Sequence, residues 1–266
     1  TLRWDDFVAG INRDLKPLKN EDSTGQDVLI FIHGFNVPFE QAALRTGQIA
    51  FDLRFQGAPI LFSWPSRGGV IAYVSDREAI EWSVNYIERF LMDIVQNTDA
   101  RRYHLIAHSM GNQGIIPALY QISLRGERDK PLFENIIMAA PDFDARRFTE
   151  QIGPEIRALA NRWTIYASEK DAALKASKLL RLETSQRLGQ PLAVVDGMDT
   201  VDASGFEVTP WNLSENHGYF SSKNRVISDL RNVLKGLLPQ SRGLLKEIHQ
   251  VGTYWRLPTG SSYQQR

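Results

Sequence analysis

The chain has 266 residues, of which 42% are hydrophobic and 23% charged, a length and balance that fit one large α/β domain with a core of its own. Its 31 Lys and Arg equal its 31 Asp and Glu, so no net field draws it to nucleic acid or an anionic membrane. It contains no cysteine, which removes disulfides, thiolate nucleophiles and cysteine metal sites, and no apolar run approaches the roughly 18 residues of a membrane helix.

The sequence opens on Thr1 instead of methionine, so a preceding segment is expected, with room in it for a signal peptide or a lipid anchor. The compartment, cytoplasmic or exported, is left open. Trp4, Phe7, Val8, Ile11 and Leu15 recur at helical spacing and predict an amphipathic helix over 1–16. Its opposite face mixes acid and base, which suits packing on a core better than lying on a membrane.

Short apolar runs bounded by turn residues follow: 28–32 (VLIFI), 59–64 (PILFSW), 103–108 (YHLIAH), 135–140 (NIIMAA), 163–167 (WTIYA) and 192–195 (LAVV). Such runs suit strands covered on both faces, and the stretches between them carry helical periodicity, clearest at Ile80, Val84, Ile87, Leu91, Ile94 and Val95. The alternation predicts a mostly parallel, doubly wound sheet of about six strands. Gly68, Gly69, Gly197 and Gly205 mark loops after strands, where open α/β sheets bind ligands. The organisation expected is a helix within 1–25 packed on the core, a catalytic domain over 26–236 and an extension over 237–266, whose tail from Gly260 is polar and read as disordered.

In Ala107-His108-Ser109-Met110-Gly111 a serine stands between a predicted strand and a predicted helix, with small residues two positions to either side. A nucleophile on so sharp a turn needs a strained backbone and a helix that crosses close to the strand, which excludes large side chains there. Alanine in place of the usual first glycine adds one methyl. The alternative for Ser109 is a helix cap; its place at the third of six strands favours the nucleophile.

A serine hydroxyl needs a general base, normally a histidine held by a carboxylate. His104 and His108 neighbour the serine on its own strand with the wrong direction or no room, and lack the Glu and helix of a zinc protease. His249 lies in the amphipathic LLKEIHQV pattern, and His33 fits a loop brace. His217, in NLSENHGYF after the last predicted strand, remains as the base. Asp171, just after the fifth strand, completes the Ser, Asp, His order of α/β-hydrolases, with Asp142 after the fourth strand as the alternative acid. The oxyanion donors expected are the backbone N–H groups of Met110, after the nucleophile, and Phe35, in the glycine-containing loop FIHGFN.

Taken in order, FIHGFN, LFSWPS, LIAHSMGN, AAPDFD, YASEKDAALKAS with RLG downstream, and NHGYF resemble a bacterial branch of the α/β-hydrolase, esterase/lipase superfamily known largely as a domain of unknown function, over about residues 26–236. The resemblance implies an α/β-hydrolase fold with Ser109 as nucleophile, Asp171 as acid, His217 as base, and Phe35 and Met110 at the oxyanion hole. The antiparallel strands that open many such folds are expected to be absent or to precede this chain.

Only residues 141–162 separate the fourth and fifth strands, too few for a separate lid domain. A fairly open cleft is therefore expected, rimmed by the substrate-binding aromatics Trp64, Tyr73, Phe143 and Trp211, each with core packing as its alternative. Asp76 is expected to cap the helix that follows it. The activity implied is hydrolysis of a small-molecule carboxylic ester through an acyl-enzyme, with no cofactor and no metal. An amidase, thioesterase or acyltransferase would use the same groups, and a silent scaffold that binds a ligand or partner is the alternative from another class. A dehalogenase-like enzyme would need an aspartate where Ser109 stands. Acyl chain length and oligomeric state are not legible.

Overall fold

The computed structural model describes residues 3–15, 24–67, 73–126, 129–168, 186–189, 192–204, 206, 220–249 and 252–259. Among these residues, five helices of at least three turns accompany eight strands: α1 (Trp4–Asp14), β1 (Asp27–Ile32), α2 (Phe39–Leu53), β2 (Ala58–Phe62), α3 (Tyr73–Asn97), β3 (Arg102–His108), α4 (Gly111–Ser123), β4 (Phe133–Ala139), β5 (Ala160–Ala167), β6 (Asp199–Asp202), then the helix Phe220–Leu234, β7 (Leu245–His249) and β8 (Gly252–Arg256). Between β4 and β5 lie two short helices, α5 (Ala145–Arg147) and α6 (Gly153–Ile156), with a π-helical and a 3₁₀ turn; the helix Phe220–Leu234 is therefore α7. The insertion is a compact helical arch with no lid domain.

All eight strands form one sheet in the order β2-β1-β3-β4-β5-β6-β8-β7, parallel except for the β7–β8 hairpin. β3, which leads to Ser109, is flanked by β1 and β4. Every residue of β1 is buried: Val28, Ile30 and Ile32 join the core under α3 and α4, while Leu29 and Phe31 join the core with α7 residues Val226, Leu230 and Val233 on the other face. Covering both faces is why these strands read as unbroken apolar runs.

Two expectations change. The apolar run at 192–195 is an irregular segment, and the sixth strand is Asp199–Asp202. Val195 packs into the first core, and the Ala193 carbonyl accepts a hydrogen bond from the Thr200 hydroxyl at 2.8 Å; the run covers the sheet instead of joining it. The sheet also has eight strands instead of about six. The two added strands come from the 237–266 segment, whose LLKEIHQV stretch forms β7, with Leu245 and Ile248 exposed. The i, i+4 spacing of Leu244 and Ile248 fits an amphipathic helix as well as a solvated edge strand.

Two buried polar networks tie the layers. Below the strands, Asp27 takes three contacts from Arg102, at 3.0, 3.1 and 2.7 Å, and one from His104 at 3.2 Å. The Asn135 amide lies 2.9 Å from His104 Nδ1 and can only donate there, so Nε2 carries the proton that faces Asp27. Burial works to raise the Asp27 pKa, but the His104 and Arg102 hydrogen bonds outweigh it and hold it below its usual value. On the other face, Asp229 of α7 accepts from the Tyr166 hydroxyl at 2.6 Å and from Arg242 at 2.9 and 2.8 Å. This fixes α7, the helix that follows the His217 segment, to β5. Burial and then the Asp229 charge push the Tyr166 pKa well up, so it remains a neutral donor.

Candidate active site

β3 ends at His108, and Ser109 turns the chain with φ 48° before α4 begins at Gly111. A non-glycine residue in the left-handed region costs about 1–2 kcal/mol. Here it is held by its surroundings: Ser109 N–H donates to the Ala139 carbonyl at 2.9 Å, while the Ser109 carbonyl accepts from Asn112 N–H at 3.0 Å and Asp142 N–H at 3.2 Å. Asn36 and Ala140, at the ends of the neighbouring strand segments, also have positive φ, 57° and 45°. Three of the four such non-glycine residues described thus surround one end of the sheet.

The small residues around Ser109 have a steric reason. A Cβ on Gly111 would lie 2.6 Å from the His33 carbonyl oxygen and 2.9 Å from that of Ile32, so α4 crosses β1 in backbone contact. A Cβ on Gly34 would lie 2.9 Å from His108 Nδ1 and 3.1 Å from Ser109 Cβ. The loop after β1 therefore lies directly against the serine turn. Among the described residues, neither the Phe35 nor the Met110 backbone N–H donates a hydrogen bond. Met110 itself is fully buried.

His33 braces this loop. Its Nδ1 lies 2.9 Å from the Gly34 carbonyl and must donate, leaving Nε2 to accept from the Ser63 hydroxyl at 3.0 Å. Its ring stacks on Trp64 at 5.0 Å, and the Trp64 indole donates to the His33 carbonyl at 2.8 Å. Burial lowers the His33 pKa to about 4 and that of His108 to about 3, so both are neutral imidazoles at pH 7.

Three aromatics expected on a substrate rim are buried. Trp64, 2% exposed, is sealed against His33 and is a brace instead of a rim residue. Tyr73, 6% exposed, packs edge-on to Phe35 at 5.3 Å and donates its hydroxyl to Asp142 at 2.8 Å. Phe143 is largely buried against Phe148, with Arg147 over its ring at 5.8 Å, but its edge lines a cleft. Asp76 lies within the first turn of α3, and among the described residues it accepts from the Ser66 hydroxyl at 2.6 Å and the Arg67 N–H at 2.8 Å, pinning the segment after β2.

That cleft, about 1300 Å³, runs between the α3–α4 face and the arch after β4. Arg77–Glu81 and Arg146–Glu150 ion pairs stand on its walls, and Asp142 and Gln113 lie at its base. Ser109 is not among its lining residues, and Asp142, which is, donates its N–H to the Ser109 carbonyl at 3.2 Å. Asp142 also accepts from the Gln113 amide at 2.9 Å and pairs with Arg187 at 3.3 Å. Gln113 and Arg187 are absent from the sequence expectations. For Gln113 the available signal was a polar residue one turn after Ser109, immediately before the apolar stretch GIIPAL.

Asp171, His217 and Trp211 lie outside the described residues, as do Gly68, Gly69, Gly205 and the tail from Gly260. Their attachment points are described. Asp171 follows β5 and His217 lies between β6 and α7; the ends of β5 and β6 pair, with Ala167 opposite Asp202. The Asp171 segment is closed at its base by Ser168 N–H donating to the Gly189 carbonyl at 2.9 Å. Among the described residues no group of three or more His, Asp or Glu could hold a metal ion, and no helix is long and apolar enough to cross a membrane.

Solved structures similar to this chain include an uncharacterised protein from Capnocytophaga ochracea, 14% identical with TM-score 0.40, aligned over 82% of this chain and 57% of that one. Esterase PE8 is 13% identical with TM-score 0.43, over 78% and 93%. The siderophore hydrolase EstB from Aspergillus nidulans is 15% identical with TM-score 0.38, over 84% and 86%. The chain thus spans little more than half the length of the Capnocytophaga protein. No curated protein matches the sequence. Residues 11–234 match the family model described as an alpha/beta hydrolase of unknown function (DUF900), so the chain belongs to this family of α/β-hydrolases.

Proposed function

We propose that the protein is a serine hydrolase that cleaves carboxylic esters through an acyl-enzyme. The observation that carries this reading is Ser109 itself, at φ 48° between a central strand and a helix, with the Gly34 loop against it. A helix cap would need no left-handed backbone, since capping residues adopt extended conformations.

In the proposed cycle His217 takes the Ser109 Oγ proton as the oxygen adds to the ester carbonyl, and Asp171 holds the imidazole. The oxyanion lies between the N–H groups of Phe35 and Met110, both without other acceptors among the described residues. His217 returns the proton to the leaving alkoxide; a water then repeats the sequence and releases the acid. Chain order supports the assignment, with nucleophile, acid and base following β3, β5 and β6 in turn. Asp142, the alternative acid, has its carboxylate engaged by Tyr73, Gln113 and Arg187, which favours Asp171.

Stopped-flow hydrolysis of an activated aryl ester tests the reading. The expected result is a burst of one phenol per protein, with kcat reduced by at least about 10⁴-fold in Ser109→Ala. Turnover that survives the substitution would contradict it. A panel of short and long esters, thioesters and amides then separates an esterase from the alternatives that share its groups.

A further inference from the structure

The buried acid at the base of the cleft has no part in that cycle, yet its contacts lead to both sides of the expected oxyanion hole, directly to the Ser109 turn and through Tyr73 to Phe35. Asp142 is 1% exposed, and a carboxylate so placed persists only when paired and hydrogen-bonded. Its partners come from three separate parts of the chain: the Tyr73 hydroxyl at the start of α3, the Gln113 amide in the first turn of α4, and Arg187 in the segment beside the arch. Its own N–H holds the Ser109 carbonyl at 3.2 Å. The Tyr73 ring lies edge-on to Phe35 at 5.3 Å.

We infer that Asp142 is a positioning residue that fixes the distance between the two oxyanion donors: through Tyr73 it holds the Phe35 loop, and through its main chain and Gln113 it holds the turn that carries Met110. This rests on the hydrolase reading above and adds to it the element that makes the two donors one unit. The two donors sit on different loops, one after β1 and one after β3. Gly34 lets the loops touch but supplies no polar tie at its own position. A carboxylate is suited to the task because it accepts from a hydroxyl and an amide while pairing with a guanidinium. A donor misplaced by about 1 Å can cost up to about 100-fold in rate, so the tie affects turnover more than affinity for substrate.

The test compares wild type, Tyr73→Phe and Asp142→Asn, measuring kcat and KM on an activated ester together with inhibition by a trifluoromethyl ketone, whose serine adduct places an oxyanion in the hole. Fluorophosphonate labelling is measured on each. Tyr73→Phe keeps the ring and removes only the tie, so it decides the matter even where Asp142→Asn fails to fold. The expected result is a kcat fall of about 10-fold at unchanged KM, a matching loss of ketone affinity, and labelling that still goes to completion. Where Asp142→Asn folds, the double variant should lose no more than the worse single one. Wild-type values for kcat and ketone affinity in Tyr73→Phe would overturn the inference alone. So would a fall of about 10⁴-fold in Asp142→Asn with Tyr73→Phe unaffected, the pattern of a triad acid. A wild-type protein that takes no label would overturn the hydrolase reading and this inference with it.

Discussion

Gly34 lies so close to Ser109 that a methyl group on its α-carbon would sit 3.1 Å from the Ser109 Cβ and 2.9 Å from the His108 ring. The loop expected to carry one oxyanion donor and the turn that carries the nucleophile are in van der Waals contact. Gly34→Ala should therefore push the loop outward and reduce kcat by about 10- to 100-fold, with a smaller change in KM. Steady-state kinetics on one ester checks this, and an unchanged kcat would show that the loop takes no part in turnover.

Gly111 meets backbone first, with carbonyl oxygens 2.6 and 2.9 Å from a Cβ placed there and the Ile32 side chain next at 3.2 Å. Neither carbonyl can rotate aside. Gly111→Ala is expected to destabilise the fold by about 3 kcal/mol, read from urea unfolding. A loss below about 0.5 kcal/mol would contradict the close crossing of α4 over β1.

The strain at Ser109 predicts an opposite ranking for two inactive variants. Glycine relieves the left-handed backbone and alanine does not, so Ser109→Gly should be more stable than Ser109→Ala by about 1 kcal/mol. Away from positive φ, glycine is the less stable of the two. An alanine variant at least as stable would mean that the turn is unstrained.

Neutral, buried histidines make stability depend on pH. The folded-state pKa values of His33 and His108, about 4 and about 3, lie below the usual value of 6.5. Between those limits the unfolded chain binds protons that the folded one does not, so stability is full above pH 6.5 and declines as pH falls toward 4. Each histidine contributes about 1.4 kcal/mol per pH unit in that window. Urea unfolding at pH 7, 6 and 5 should show the decline, and His33→Gln should remove about half of it. Stability that stays level from pH 7 to 5 would contradict the burial of both rings.

What was legible in the sequence follows from what is local. The strands β1, β3, β4 and β5 are apolar because both faces are covered, and each was read within a few residues of its bounds. β6 is DTVD, whose carboxylates serve contacts with Arg242 and Ser204, so its pattern carried no strand signal, while the apolar LAVV beside it did. Ser109 was legible because the strain of the turn dictates its neighbours at fixed spacing. Trp64, just after β2, and Tyr73, at the start of α3, were not, because an aromatic at the end of an element reads the same whether it faces solvent or, as here, braces His33 or Asp142. Asp142 meets Tyr73 across 69 residues of sequence and Gln113 across 29, and no local pattern records a meeting at that range.

The most direct test of the account is the covalent state of Ser109. After incubation with a fluorophosphonate, mass spectrometry of the digested protein should find one adduct per chain on the peptide carrying residue 109, formed far more slowly in His217→Ala. No adduct, or one on another serine with residue 109 unmodified, would contradict the account.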